Sequence, residues 1–182
     1  MNLYVMTGPI QTGKTTWTGK MIAAAQARGL HITGVRSPAV FEGGTKTGIT
    51  SELLPSGEQF PLATWRTDFE GLDREALMDP GAKPKLGWKF SDAAMARINQ
   101  HLLECRADLG DLFIVDEFGF LEFYRNEGYT EGLKIMDEAL PKNAYLILRP
   151  DLLEPARQRW GSFTTLHTDA SIDEFLDGLA LR

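Results

Sequence analysis

The sequence is poor in cysteine and histidine, which limits the ways in which the fold can be stabilised. Cys105 is the only cysteine, so no disulfide can form within the chain. His31, His101 and His167 are widely separated, and no His/Cys cluster has the spacing of a zinc site. We expect Cys105 to be a small apolar residue on a helix rather than a reactive thiol.

Long apolar runs and an excess of positive charge are also absent. No apolar run reaches the length of about 18 residues that a membrane-spanning helix needs, and we expect no signal peptide, because the first residues read as a strand. The net charge of −6 argues against broad binding to nucleic acid or anionic membranes. We therefore expect a cytoplasmic protein without nucleic-acid or membrane partners. A chain of 182 residues, 43% of them hydrophobic, suits a single domain over residues 1–182.

A glycine-rich stretch stands near the start of the chain. Residues 8–15 read GPIQTGKT, which matches the P-loop pattern of two spaced glycines followed by Lys and Ser/Thr. Residues 3–7 before it form a short apolar run, typical of a buried strand. Residues 15–28 after it are alanine-rich and lack proline, which predicts a helix ending at Gly29. Strand, glycine loop and helix are the context that the motif requires, although a glycine turn before a surface helix would give the same pattern.

The motif predicts a phosphate-binding loop. Its backbone N–H groups would form an anion-binding nest, and the dipole of the following helix would add to the binding. Lys14 is placed to reach the β- and γ-phosphates, the Thr15 hydroxyl to bind Mg²⁺, and Thr16 to hold an α-phosphate oxygen. The predicted nucleotide-binding residues in this stretch are Gly8, Pro9, Ile10, Gln11, Thr12, Gly13, Lys14, Thr15 and Thr16.

A second signal follows about a hundred residues later. The apolar run at residues 112–115 ends in Asp116 and Glu117, which is the Walker B pattern. A carboxylate at the carboxyl end of a strand beside the P-loop can hold Mg²⁺, so we assign Asp116 to the metal. Glu117 can accept a hydrogen bond from a water aligned with the γ-phosphate, unless it is a solvated surface carboxylate.

The remaining pattern alternates strands with helices and contains one insertion. Such alternation predicts an α/β fold with a mostly parallel sheet that is covered by helices on both faces. Residues 38–62 have the turn spacing of β-hairpins, and residues 64–90 are rich in proline and glycine, as in a lid or binding segment. Further strands are expected at residues 31–37, 144–148 and 162–166, and further helices at 91–109, 130–140, 152–160 and 171–179.

Two arginines are expected at the carboxyl ends of strands, where open α/β sheets bind their ligands. Arg36 ends the second predicted strand, and Arg149 follows the strand at residues 144–148. Either can neutralise charge in a transition state, or can simply pair with a surface carboxylate. We place Arg149 among the catalytic residues and Arg36 among the nucleotide-binding residues.

Four segments of the chain resemble the THEP-type nucleoside triphosphatases. MTGPIQTGKTT, VRSPAVFEGGTKTGIT, LGWKFS and FIVDEFGFLE occur here in the order found in that family, over most of residues 1–150. The resemblance implies a three-layer, RecA-like P-loop NTPase fold and slow, Mg²⁺-dependent hydrolysis of several nucleoside triphosphates. It also implies that Asp116 serves the metal and Glu117 the attacking water; Glu122 matches a family glutamate to which we assign no role. Gln11 and Thr12, a lengthened segment at 64–86 and the C-terminal part depart from the family pattern.

The leading hypothesis is therefore an Mg²⁺-dependent nucleoside triphosphatase with ATP, GTP, CTP and UTP as substrates. Lys14, Glu117 and Arg149 form its predicted catalytic set. A P-loop kinase with an acceptor lid at residues 64–90 is an alternative, as is a non-catalytic nucleotide switch or accessory protein. Residues 116–119 also satisfy the D-x-x-G pattern of GTPases, but the guanine-reading N-K-x-D and T-K-x-D motifs are absent. The pattern identifies no protein partner.

Overall fold

The computed structural model describes residues 1–9, 12–68, 70–71 and 86–180. The predicted roles of Ile10 and Gln11, and most of the lid expected within residues 64–90, lie outside the described residues. No helix in the described ranges is long and apolar enough to span a bilayer.

The described residues form one nine-stranded sheet and five α-helices. The strands are β1 (Asn2–Met6), β2 (Ile32–Arg36), β3 (Ala39–Glu42), β4 (Thr45–Leu54), β5 (Gln59–Trp65), β6 (Trp88–Phe90), β7 (Leu112–Val115), β8 (Asn143–Ile147) and β9 (Thr164–Leu166). The α-helices are α1 (Lys14–Ala27), α2 (Asp92–Cys105), α3 (Thr130–Asp137), α4 (Leu153–Trp160) and α5 (Ile172–Asp177). A π-helical turn at Leu121–Arg125 and a 3₁₀ turn at Pro150–Leu152 complete the set.

The sheet is mixed, with a parallel half and an antiparallel half. Its strand order is β6-β5-β4-β2-β7-β8-β1-β9, and β3 pairs with β4 at the side of this path. The strands β2, β7, β8, β1 and β9 are parallel to one another, whereas β4, β5 and β6 continue the sheet as antiparallel neighbours. The predicted α/β fold with a hairpin insertion after the second strand is confirmed.

Helices cover both faces of the sheet, which gives three layers. On one face, α1 and α5 pack on the sheet in a core that includes Met21, Tyr145 and Phe175. On the other face, α2, α3 and α4 pack over a core that includes Ile98 and Phe113. Since both faces are covered, β7 and β8 are buried along their whole length, and this explains the continuous apolar sequence of β7.

Serine side chains cap the amino ends of two helices. The Ser91 hydroxyl accepts a hydrogen bond from the Ala94 N–H at the start of α2, and Ser171 does the same for Glu174 at the start of α5. The ends of α2 and α3 differ from the prediction. Helix α2 stops at Cys105 rather than near residue 109, and α3 stops at Asp137, after which Ala139 has a positive φ of 51°. The π-helical turn after β7 was not predicted.

Glycine allows β2 to approach β7. Gly34 pairs with Ile114 in the parallel register and has a φ of 112°. A Cβ atom at this position would lie 1.9 Å from the Ile114 carbonyl oxygen and 2.9 Å from its nitrogen, so a larger residue requires the two strands to separate. The spacing between β2 and β7 therefore depends on Gly34.

We expect Gly34→Ala to lower the free energy of unfolding by about 3 kcal/mol or more, because backbone strain and a clash with Ile114 add together. The control is Gly57→Ala, at a φ of 72° with nothing within 4 Å of the added Cβ. The free energy of unfolding of this control should fall by only about 1–2 kcal/mol, which is the cost of the left-handed backbone conformation for a residue with a side chain. Urea unfolding of both variants measures the difference, and equal losses would contradict the close approach.

Candidate active site

The glycine loop makes a tight connection between β1 and α1. Gly8 and Gly13 have φ angles of 147° and 90°, a region that residues with side chains rarely adopt. The Thr12 hydroxyl donates to the Pro9 carbonyl at 2.9 Å. Gly13 is the N-cap of α1, so the positive end of the helix dipole faces the loop. The first turn of α1 contains no acidic residue that would neutralise this positive end.

Lys14 folds back over this loop. Its Nζ donates to the carbonyl oxygens of Gly8 at 2.9 Å and of Pro9 at 2.6 Å. Burial lowers the pKa of Lys14, with smaller effects from the charges of Glu117, Arg149 and Asp116. The amine therefore lies within electrostatic range of the three other charged residues that the sequence assigns to the site.

Asp116 is a buried carboxylate at the carboxyl end of β7. Its Oδ2 accepts a hydrogen bond from the backbone N–H of Ser37, the residue after β2, at 3.1 Å. Burial raises the pKa of Asp116 to about 6, and the charge of Glu117 also raises it, whereas the Ser37 hydrogen bond and the charges of Arg36 and Lys46 lower it. The ionised form is thus poorly compensated by the protein alone, and a bound cation would stabilise it.

Glu117 and Arg149 form an ion pair above the sheet edge. The Nε of Arg149 donates to Oε1 of Glu117 at 3.2 Å, and the guanidinium lies 5.6 Å from the centre of the Phe120 ring. Glu117 has a φ of 72°, a conformation that costs energy in a residue with a side chain. The structure therefore brings together two of the three residues in the predicted catalytic set, and the charges of both act on Lys14.

Arg36 lies beside the P-loop helix rather than beside the loop. Its guanidinium pairs with Oε2 of Glu52 at 3.0 Å, and a Cβ atom added to Gly19 would lie 2.6 Å from one of its nitrogens. A direct phosphate contact, as the sequence predicts, would require Arg36 to leave Glu52. In its present position Arg36 acts on the site through its charge on Asp116.

Thr15 and Thr16 lie in the first turn of α1, next to the glycine loop. Thr15 is half-buried and Thr16 is exposed. Within the described residues, no group of three or more His, Cys, Asp or Glu side chains could hold a metal. Mg²⁺ does not need one, since it takes one or two protein oxygens and completes its shell with water and substrate phosphates. Thr15 and Asp116 offer hard oxygen donors that fit this ion.

Sequence reasoning missed two residues near Asp116. Ser37 donates its N–H to Asp116, and its hydroxyl lies 3.1 Å from the hydroxyl of buried Tyr129. The rule that ligands bind at the carboxyl ends of parallel strands could have identified Ser37, which directly follows β2. That rule cannot identify Tyr129, because Tyr129 precedes helix α3 and does not follow a strand.

We expect Asp116→Asn to stabilise the metal-free protein at neutral pH. Because burial raises the pKa of Asp116 in the folded form from 3.8 to about 6, this residue costs the folded state nothing below about pH 4, and its cost develops between about pH 4 and 6 and is constant at higher pH. The variant should gain up to about 3 kcal/mol above about pH 7 and nothing below about pH 4. Thermal unfolding in a chelator measures this, with exposed Asp169→Asn as the control. A difference that does not change with pH would contradict the assignment.

Comparisons with known proteins agree with the fold. The solution structure of a human cancer-related nucleoside triphosphatase is similar with a TM-score of 0.62 and 20% identity, covering 97% of this chain and 94% of that chain. The crystal structure of THEP1 from the hyperthermophile Aquifex aeolicus has a TM-score of 0.62 and 16% identity, covering 99% of each chain. No curated protein sequence gives a significant match. A family model described as NTPase matches residues 3–148, and the chain therefore belongs to this NTPase family, as its resemblance predicts.

Proposed function

We propose that this protein is an Mg²⁺-dependent nucleoside triphosphatase, which hydrolyses nucleoside triphosphates to diphosphates and phosphate with broad tolerance of the base. One observation carries the proposal. Lys14, the neighbours Asp116 and Glu117, and Arg149 come from three separate parts of the chain, yet they lie close enough at one edge of the sheet for the charges of the other three residues to act on the Lys14 amine. The membership in the NTPase family supports the same activity.

Phosphate binding uses the loop between β1 and α1. The N–H groups of the loop and the first turn of α1 would hold the phosphate oxygens. Lys14 would exchange the carbonyl oxygens of Gly8 and Pro9, its present partners, for β- and γ-phosphate oxygens. Since a phosphate carries full negative charge and a carbonyl only a dipole, this exchange favours the bound state.

The Thr15 hydroxyl and the Asp116 carboxylate would hold Mg²⁺, directly or through water. When bound, the ion neutralises charge on the β- and γ-phosphates. The N–H of Ser37 fixes one oxygen of Asp116 and so orients the carboxylate. Because Asp116 is buried and its pKa is raised, a divalent cation also offsets the cost of its negative charge.

Glu117 would orient the attacking water, and Arg149 would stabilise charge on the transferred phosphoryl group. In this structure the two side chains bind each other. A γ-phosphate attracts Arg149 and repels Glu117, so its arrival separates the pair and leaves the carboxylate to accept a hydrogen bond from water. The ion pair would thus keep both groups at the site before substrate binds.

Broad base tolerance follows from the kind of contacts proposed. All of the assigned residues act on phosphates, metal or water, and none of them reads a base. The name of the similar human protein specifies a nucleoside triphosphatase without naming a base.

The antiparallel half of the sheet supports a second candidate, a P-loop kinase. Glu52 of β4 pairs with Arg36, the last residue of β2, so the earlier residues of β4 extend past the carboxyl edge of the parallel strands. On this extension Lys46 lies 4.8 Å from the centre of the Trp88 ring, and its charge acts on Asp116. A cation and an aromatic face on this side of the site would suit an acceptor molecule.

The first experiment measures phosphate release from ATP, GTP, CTP and UTP with and without Mg²⁺. We expect Glu117→Gln to lower kcat by about 100-fold or more while changing nucleotide affinity less than about twofold, because the neutral amide oxygen accepts a weaker hydrogen bond from the attacking water and cannot take its proton. Lys14→Ala should instead abolish tight binding in calorimetry. Unchanged turnover in Glu117→Gln would remove its assigned role, and tight binding without any release would favour the kinase or the switch.

Arg149→Ala tests the role of the arginine. Turnover should fall by about 10- to 1000-fold and KM much less, since the charge develops in the transition state. The matched control is Arg159→Ala, which breaks an ion pair of Arg159 with Asp137 on the α3–α4 side and should leave turnover unchanged. Equal losses in kcat and in nucleotide affinity would point to simple binding by Arg149.

A further inference from the structure

A buried carboxylate holds two points of the segment that leads from Asp116 and Glu117 to α3. Glu122 lies in the π-helical turn between β7 and α3 and is only 6% exposed. Its Oε2 accepts the N–H of Gly119 at 2.7 Å, and its Oε1 accepts the N–H of Tyr129 at 2.9 Å. One side chain therefore holds the loop just after Glu117 and again at the start of α3.

The surroundings leave little room for Glu122 to move. A Cβ atom on Gly128, whose φ is 79°, would lie 1.9 Å from Oε1 of Glu122. From the other side, the Asn99 amide of α2 donates to the Gly128 carbonyl at 2.8 Å and accepts the N–H of Glu131 at 2.9 Å. The chain around Gly128 is thus fixed by hydrogen bonds from both directions.

The partners of Glu122 are unusual for a buried acid. Within the ranges that the structure describes, backbone N–H groups rather than a cation hold this carboxylate. Burying a carboxylate without an opposite charge is costly, and the pKa of Glu122 is raised by this burial. A well-packed apolar residue would fill the space at lower cost, so the hydrogen bonds themselves are the contribution that Glu122 makes.

Hydrogen bonds continue from Glu122 to the candidate metal ligand. Tyr129 is held by Glu122 through its N–H, and its hydroxyl lies 3.1 Å from the hydroxyl of Ser37. The N–H of Ser37 then donates to Asp116. In the opposite direction, Gly119 stands only two residues after Glu117. Glu122 therefore contacts one segment that leads to Glu117 and another that leads to Asp116.

We propose that Glu122 is a positioning residue, which acts with Tyr129 and Ser37 to fix Asp116 and Glu117 relative to each other. The proposal rests on the proposed function, in which Asp116 serves the metal and Glu117 the water. In-line attack on a phosphoryl group requires both to be correctly placed, and a displacement of about 1 Å can cost about 100-fold in rate. Glu122 itself touches neither substrate nor metal.

Two substitutions and one matched control test this role. Glu122→Gln keeps the shape but turns one acceptor into a donor that faces a backbone N–H, and Tyr129→Phe removes only the hydroxyl next to Ser37. The control is Thr33→Val, which removes a buried hydroxyl near the amino end of β2, the strand that Ser37 follows; this hydroxyl donates to the Leu109 carbonyl. All three should lose stability, by about 1–3 kcal/mol each.

We expect kcat to fall about tenfold or more in Glu122→Gln and Tyr129→Phe at saturating nucleotide and Mg²⁺, and to stay unchanged in Thr33→Val. Metal-free ATP affinity, measured by calorimetry, should change less than about twofold in all three variants. The Mg²⁺ concentration that half-maximally strengthens ATP binding should rise in Tyr129→Phe but not in the control. If Glu122→Gln does not fold, Tyr129→Phe still tests the hydrogen-bond path by which Glu122 would act on Asp116.

The binding measurement separates this proposal from the proposed function, because it needs no hydrolysis. A wild type that binds ATP with Mg²⁺ but releases no phosphate would overturn the triphosphatase assignment, while a raised Mg²⁺ requirement in Tyr129→Phe would still support the positioning role. The role would be overturned if kcat and the Mg²⁺ requirement in Tyr129→Phe matched those of Thr33→Val. A wild type whose ATP affinity does not respond to Mg²⁺ would overturn both.

Discussion

The parallel pairing of β2 with β7 is the constraint on which the site depends. It places the end of β7, with Asp116, beside the end of β2, where the N–H of Ser37 reaches the carboxylate. The pairing is close because Gly34 has no side chain to meet the Ile114 carbonyl. A backbone contact in the middle of the sheet thus determines the position of a charged group at its edge.

The charges at this edge balance one another only in part. Asp116 and Glu117 repel each other, and burial adds to the cost of ionising Asp116. Arg149 compensates Glu117 by direct contact, while Lys14 is held by carbonyl oxygens of its own loop. Such poorly compensated charges are common at functional sites, where the fold gives up stability in order to hold groups that a ligand later stabilises.

The sequence was sufficient for the parts of the fold that depend on local patterns. The glycine loop, the apolar run of β7 and the turn residues of the hairpins predicted the strands β1, β3, β4, β5 and β7 and the helix after the loop. The placement of Asp116, Glu117 and Arg149 at one edge followed from the rule for the carboxyl ends of parallel strands. These features depend on residues that are neighbours in the sequence, or on general topology.

The remaining features depend on contacts between distant residues. Arg36 was expected to face phosphate, but its cross-strand neighbour Glu52 holds it beside α1. The positioning role proposed for Glu122 depends on two backbone N–H groups that approach its carboxylate only in the folded chain. No sequence pattern predicts that approach. The π-helical turn that carries Glu122 is only five residues long, which is too short for a helical periodicity to be recognised in the sequence.

The position of β8 between β1 and β7 has a consequence for the size of the ligand. Neighbouring strands lie about 4.8 Å apart, so two intervals separate the strand that leads into the glycine loop from the strand that ends in Asp116 by about 10 Å. Side-chain rotation alters this span little, since hydrogen bonds along β8 fix it from both sides. The chain of linked phosphates in the proposed substrate, together with its metal, would have to bridge this span. The width of one strand thus sets the distance that such a ligand must cover between the glycine loop and the end of β7.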